Sequence, residues 1–124
     1  MTKQKSVLVV EDDQALREVY QIILEAAGFT VDTAKNGVEG LEQIKRLRPD
    51  VVLLDIFMPV MDGREVLRNL DRSLYPHTKI VVCSNMSDNQ LMQEVLDNGA
   101  DKFVLKSSLG PTELQAMVKE LVVS

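Results

Sequence analysis

The sequence predicts an α/β fold in which five parallel strands form one doubly wound sheet flanked by five helices. Three observations predict it. Short runs rich in β-branched residues recur five times along the chain. Segments whose apolar residues fall at helical spacing separate those runs. Several of the runs are apolar at every position, so both faces of the strand must be covered, which calls for a parallel sheet with helices on each side.

Ser6–Val10 is the first such run. From Asp13 to Ala27 the residues Leu16, Val19, Tyr20, Ile23, Leu24 and Ala27 share one helical face, and Gly28 stands where a helix ends in a left-handed residue. Thr30–Ala34 alternates and reads as the second strand. Asn36-Gly-Val-Glu39 has the form of a capping box, with Glu39 reaching back to Asn36, ahead of Val38, Leu41 and Ile44 on a second helix. Pro49-Asp50 interrupts that pattern, and Val51–Leu54 is the third strand. Pro59 and Asp62-Gly63 mark a loop before a short helix over Glu65–Leu70. Ile80–Cys83 is the fourth strand, Gln90–Leu96 the fourth helix, and Phe103–Leu105 the fifth strand. Pro111 suits the first turn of a last helix that carries Leu114, Met117, Val118 and Leu121 on one face.

Composition removes several classes of function. The chain has 124 residues, enough for a single domain over 1–124. It is 45% hydrophobic and 27% charged, as globular proteins are, which excludes disorder and fibrous rods. No apolar run approaches the ~18 residues of a membrane span. The basic start meets acids after four apolar residues, so it is not a signal peptide. One cysteine, Cys83, rules out an intrachain disulfide and fits a reducing, cytoplasmic setting. A net charge of −5 argues against direct nucleic-acid binding.

In such a sheet, ligands bind outside the carboxyl ends of the strands. Glu11, Asp12 and Asp13 follow the first strand, and Asp55 follows the third. Ser84-Asn85 ends the fourth and Lys106-Ser107 the fifth. Carboxylates about 5 Å apart repel by roughly 3 kcal/mol at an effective dielectric near 20, so this edge calls for a cation or a shared proton. Hard oxygen donors suit Mg2+ or Mn2+. A hard cation, an ammonium and a hydroxyl beside a free carboxylate describe a phosphoryl site with the carboxylate as nucleophile.

With those residues in order, the chain resembles a receiver domain of two-component response regulators, the CheY-like family, from Val7 to about Leu121. Arg48-Pro-Asp-Val-Val-Leu-Leu-Asp55-Ile-Phe-Met-Pro59-Val-Met-Asp62-Gly63 is the most specific stretch. Val9-Val-Glu11-Asp12, Asn36-Gly37-Val-Glu39 and Gly99-Ala100-Asp-Lys-Phe-Val-Leu-Lys106 support it. The resemblance implies a flavodoxin-like sheet of order 2-1-3-4-5. It implies that Asp55 accepts a phosphoryl group from a histidine kinase or a phosphotransfer protein. Mg2+, or Mn2+, would be held by Glu11, Asp12, Asp55 and the backbone carbonyl of Phe57. Ser84 would be the switch hydroxyl, Lys106 a phosphoryl ligand, and Phe103 the aromatic that moves with Ser84. Asp13 would open the first helix. The implied output is a protein-binding face on helix 4, strand 5 and helix 5, passed to a downstream target or output domain. Kinase specificity would lie near Arg17, Tyr20 and Gln21 on the first helix. The chain would not be an enzyme acting on an external substrate.

The sequence departs from the family pattern at three places. Ser107 replaces a proline that is often cis, so the loop keeps a strained cis bond or is rebuilt trans. Asn85 replaces a small residue, and its amide could bond a phosphoryl oxygen or crowd the entrance. Phe57 and Met86 stand where the family's side chains influence the hydrolytic water, and neither can hydrogen-bond it, so slow loss of the phosphoryl group is expected. Lys102 and Met117 stand where one dimerising subfamily carries Asp and Arg, so a monomer is expected. The alternative is a pseudo-receiver, a phosphorylation-independent interaction module. A haloacid-dehalogenase-type phosphatase would need an acid at Phe57, and a flavin protein would not place three acids after its first strand.

Overall fold

The computed structural model describes residues 4–123; Met1–Lys3, with the first lysine of the chain's basic start, and Ser124 lie outside them. The elements run β1 (Ser6–Val10), α1 (Gln14–Ala26), β2 (Thr30–Ala34), α2 (Gly37–Leu47), β3 (Val51–Asp55), α3 (Gly63–Arg68), β4 (Lys79–Ser84), α4 (Asn89–Asp97), β5 (Lys102–Leu105) and α5 (Pro111–Val123). The strands form one sheet in the order β2-β1-β3-β4-β5, with every pair parallel. β2 and β3 leave β1 on opposite sides, so a crevice opens past the carboxyl ends of β1 and β3.

The continuous apolar runs feed two cores, because successive side chains of a strand point to opposite faces. Leu8, Val10, Val52, Leu54, Ile80 and Val82 pack on the side of α2, α3 and α4 with Ile44, Val66 and Val95. Val7, Val9, Val51, Leu53, Val81 and Cys83 pack on the other side with Tyr20, Leu24, Leu114 and Val118.

The helix starts are set by acids and amides. Asp13 caps α1 by accepting from Leu16 N–H at 3.2 Å. Asn36 caps α2 by accepting from Glu39 N–H at 2.8 Å. The expected reciprocal bond is displaced by one residue: Glu39 accepts from the backbone N–H of Lys35, at 3.3 Å, rather than from Asn36. The complete capping box belongs to Asp62 and Glu65. It starts α3 at Gly63 rather than Glu65, which corrects the expected Glu65–Leu70 span.

The inward faces also differ in detail from the sequence reading. Val19 is 48% exposed, whereas its neighbour Tyr20 is 4% exposed. Successive helical residues are ~100° apart, and α1 lies rolled so that Tyr20 meets the sheet. Tyr20, expected on a kinase-contact surface, is buried; the large apolar residues that α1 presents outward are Val19 and Ile22. Val38 likewise faces out at the start of α2.

Away from the carboxyl edge, Arg72 ties the base of α4 to the strands. Its guanidinium donates to Gly99 O at 3.0 Å, Thr78 O at 2.8 Å and Asp101 Oδ2 at 2.8 Å. Asp101 Oδ2 also accepts from Ile80 N–H, at 2.7 Å. Gly99, at φ +108, takes the turn that brings its carbonyl to Arg72.

Candidate functional site

Glu11, one residue past β1, is 3% exposed, and Asp55, the last residue of β3, is 7% exposed. Backbone pairing places both. Glu11 N–H extends the ladder to Ala34 O at 3.0 Å, and Asp55 is in register with Cys83 on β4. Lys106 reaches in from the end of β5. Its Nζ donates to Glu11 Oε1 at 2.7 Å and lies 3.1 Å from Asp55 Oδ1. Glu11 Oε2 accepts from Asp13 N–H at 3.2 Å, which orients the carboxylate across the turn into α1.

Burial and the neighbouring Glu11 push the Asp55 carboxyl up to about 7, against the pull of Lys106. Burial works against the charge of Lys106, yet Glu11 and Asp55 hold its ammonium above the ordinary lysine range. One ammonium thus serves two buried carboxyls.

Glu11, Asp12 and Asp55 each offer an oxygen, and these lie within 4.8 Å of one another. Two are buried and Asp12 is exposed, so the cluster is open on the Asp12 side. Hard donors at this spacing fit a divalent ion with an oxygen-rich octahedral shell. Three carboxylates and one ammonium meet at this edge, which leaves room for further positive charge.

A cavity of about 370 Å³ lies over the cluster, lined by Glu11, Asp12, Asp13, Leu16, Asp55, Phe57, Asn85 and Lys106. Every expected acid is there, with Lys106, Asn85 and Phe57. Ser84 is not among the lining residues. It is 1% exposed, and its Oγ accepts from Met86 N–H at 3.0 Å, leaving its own O–H to donate elsewhere. Phe103 is half-buried on β5 and packs with the α4-side core, apart from the cavity. A cavity of about 410 Å³ at the opposite edge of the sheet has Asp50 as its one carboxylate, already bonded to Ser6.

The alternatives left open at Ser107 resolve in favour of a rebuilt loop. The Lys106–Ser107 bond is trans, and Lys106–Ser108 forms a turn of 3₁₀ helix that still delivers Lys106 to the acids.

Two residues join the site that the sequence reading does not place there. Arg17 Nη1 donates to Glu11 O at 2.7 Å, pinning the backbone that carries the acid pair. Gly63 lies under Asp55: a Cβ there would come within 2.5 Å of Asp55 O, so the start of α3 can approach the acid only as glycine. Arg17 has no local signal and Gly63 is legible only as a turn residue beside Asp62, since both contacts follow from tertiary approach.

The loop after Asp55 holds a strained residue. Val60 has φ 72 and is 79% exposed. It is the centre of a three-residue turn closed by Met61 N–H to Pro59 O at 2.8 Å, the rare left-handed form of the γ-turn. A β-branched residue there costs about 1–2 kcal/mol. Val60→Gly is expected to stabilise the fold by about 0.5–1 kcal/mol after the entropy cost of glycine. Urea denaturation checks this; a lower midpoint for Val60→Gly would show that its side chain is worth more than the strain.

Comparison with known proteins agrees with this arrangement. Residues 7–119 match the family model of the response regulator receiver domain. The chain is 37% identical over 103 residues to the chemotaxis protein CheY of Thermotoga maritima, covering 82% of this chain and 85% of that one. It is 32% identical to CheY of Halobacterium salinarum, covering 91% and 93%. Against response regulator MprA of Mycobacterium leprae it is 38% identical over 94% of its length but spans only 50% of that protein. It spans about half the length of that protein and 44% of the transcriptional regulatory protein CseB of Streptomyces coelicolor, but most of the length of the two chemotaxis proteins. In structure it superposes on a CheY-like receiver domain from Methanospirillum hungatei with a TM-score of 0.89 at 30% identity, covering 98% and 95%. By motif, by sheet order and by these relatives, the chain belongs to the family of response regulator receiver domains.

Proposed function

We propose that the chain is a signalling switch that Asp55 operates by accepting a phosphoryl group from a histidine kinase or phosphotransfer protein. One observation carries this reading: Asp55 sits buried at the end of β3 against Lys106, with Glu11 and Asp12 close enough to share a divalent cation. Glu11, Asp12, Asp55 and the Phe57 carbonyl would hold Mg2+ or Mn2+. When bound, the ion supplies positive charge against the phosphoryl oxygens and favours the ionised nucleophile.

The remaining work falls to the chain itself. An Asp55 oxygen attacks phosphorus in line; its O–P bond forms as the P–N bond to the donor histidine breaks. Lys106, already 3.1 Å from the nucleophile, neutralises a phosphoryl oxygen. The Asn85 amide, on the cavity wall, can donate to another. The new dianion attracts the O–H that Ser84 leaves uncommitted, and Phe103, paired with Val82 two residues before Ser84 and packed on the α4-side core, moves with it. The output is the face of α4, β5 and α5. Turnover is confined to the chain's own phosphorylation and its reversal. The donor meets α1 through its exposed Val19 and Ile22, with Gln21 beside them.

Incubation with acetyl phosphate and Mg2+, followed by intact mass, tests the reading. One added phosphoryl group that disappears in EDTA is expected. No addition from acetyl phosphate or from a set of histidine kinases would leave a phosphorylation-independent interaction module in its place.

The lifetime of the phosphorylated form gives a second test. Phe57 and Met86, each about half exposed, have no group to orient water. Phe57→Asn supplies one; a hydrogen bond worth about 1 kcal/mol speeds hydrolysis about five-fold. Decay no faster in Phe57→Asn than in the wild type, once donor is removed, would show that the apolar side chain does not limit the reaction.

A further inference from the structure

Phe57 lines the Asp55 cavity and is 51% exposed, yet its ring has a fixed neighbour. The Arg64 guanidinium carbon lies 5.6 Å from the ring centroid, within the range of a cation–π contact. Two acids aim that guanidinium. Arg64 Nη2 donates to Asp62 Oδ2 at 2.9 Å, and Nη1 lies 3.8 Å from Glu94 Oε1. Arg68 holds the other Glu94 oxygen at 3.1 Å. Asp62 is part of the capping box of α3, and Glu94 belongs to α4. Arg64 Nε is buried without a hydrogen-bond partner. The guanidinium is therefore held by its two terminal nitrogens and by the ring at its face, rather than by a bond along its stem.

We infer that Arg64 is a positioning residue that fixes the Phe57 ring at the mouth of the Asp55 cavity and so sets how fast the phosphoryl group is lost to water. This rests on the reading of Asp55 as the phosphoacceptor. In that loss, a water oxygen bonds to phosphorus as the bond between phosphorus and the Asp55 oxygen breaks. The carboxylate is regenerated, inorganic phosphate leaves, and one proton goes to solvent. The ring does none of this chemistry; it occupies the approach. Because Glu94 is one of the two acids that aim Arg64, the position of α4 reaches the ring through this guanidinium.

The experiment loads the full chain from acetyl phosphate and Mg2+, removes the donor, and follows decay by intact mass. The variants are Arg64→Ala, Arg64→Lys, Phe57→Ala and the double variant Arg64→Ala/Phe57→Ala. Arg64→Ala is expected to shorten the lifetime about two- to five-fold. Arg64→Lys, which keeps a cation over the ring without the fork, is expected to fall between. In the Phe57→Ala background, Arg64→Ala is expected to have no further effect, whereas a merely structural loss would add to it. Mg2+ affinity by calorimetry is expected to match the wild type in every Arg64 variant. Wild-type decay in Arg64→Ala, or an equal acceleration with and without the ring, would overturn the role of Arg64 while leaving Asp55 as acceptor. Failure of the wild-type chain to load from any donor would remove the underlying reading, and this inference with it.

Discussion

Asp55→Asn is expected to abolish phosphoryl uptake and, in EDTA, to make the fold more stable. The first outcome follows from the nucleophile: an amide oxygen at this place cannot form the acyl phosphate. The second follows from electrostatics. Burial and Glu11 raise the folded-state carboxyl to about 7. An unfolded aspartate titrates near 3.9. Between those values the folded chain binds the extra proton, so its stability falls as pH rises, and above about 7 the full penalty is present. Removing the charge is expected to gain on the order of 2–4 kcal/mol at pH 8 and little near pH 4. Urea denaturation at both pH values checks the sign. Saturating Mg2+ should stabilise the wild type, by about 2.7 kcal/mol at a hundred times its Kd, and Asp55→Asn less. A variant that is less stable than the wild type at pH 8 would mean that Asp55 contributes a net favourable ion pair, and that this site does not hold a charge deficit.

Lys106→Met is expected to act in the opposite direction. Its Nζ is the bridge between Glu11, 2.7 Å away, and Asp55, 3.1 Å away, with both partners nearly inaccessible to water. Methionine keeps much of the stem and removes the charge, leaving two buried carboxyls with no cation. Breaking a buried pair by removing one partner costs about 3–5 kcal/mol. That cost is expected in full at pH 8 in EDTA. It should shrink towards pH 5, where Asp55, held up to about 7 by burial and Glu11, takes a proton, and again when Mg2+ is added. Phosphoryl uptake should fall as well, since one phosphoryl oxygen loses its counter-charge. Denaturation curves at the two pH values, with and without Mg2+, separate the cases. An equal loss at both would assign the lysine's worth to the packing of its stem.

These two residues were legible in the sequence because chemistry at strand ends has few alternatives. Once five strands were recognised, an acid at the end of β3 and a lysine at the end of β5 had to share an edge. The strands themselves were legible because burial on both faces leaves no polar position in Val51–Leu54 or Ile80–Cys83. The start of α3 was available as Asp62 and Glu65 at capping-box spacing, but Asp62-Gly63 also reads as a turn. The choice between Val19 and Tyr20 as the buried residue was not legible. Adjacent helical positions differ only by the roll of α1, which packing against the sheet decides. Arg17 and Arg64 were not legible as site residues, because a long side chain can bond anywhere within its reach and the tertiary approach selects the partner. The trans bond at Ser107 likewise depends on whether the following turn can still present Lys106, which it does.

The Arg72 anchor gives α4 the mechanics of a cantilever. One end is clamped through Gly99, Thr78 and Asp101. The other end begins in the exposed stretch 85–90, beside the Ser84 hydroxyl. Nine residues make a beam about 13 Å long. A beam clamped at its base and tethered at its middle, where Arg64 and Arg68 hold Glu94, swings at its free first turn instead of sliding as a whole. A small pull at Ser84 would therefore appear as travel that grows with distance from Gly99, greatest in the turn that carries Asn89 and Gln90 and least at Asp97. A partner that grips the first turn of α4 would feel the switch most, and one that grips its last turn would hardly feel it.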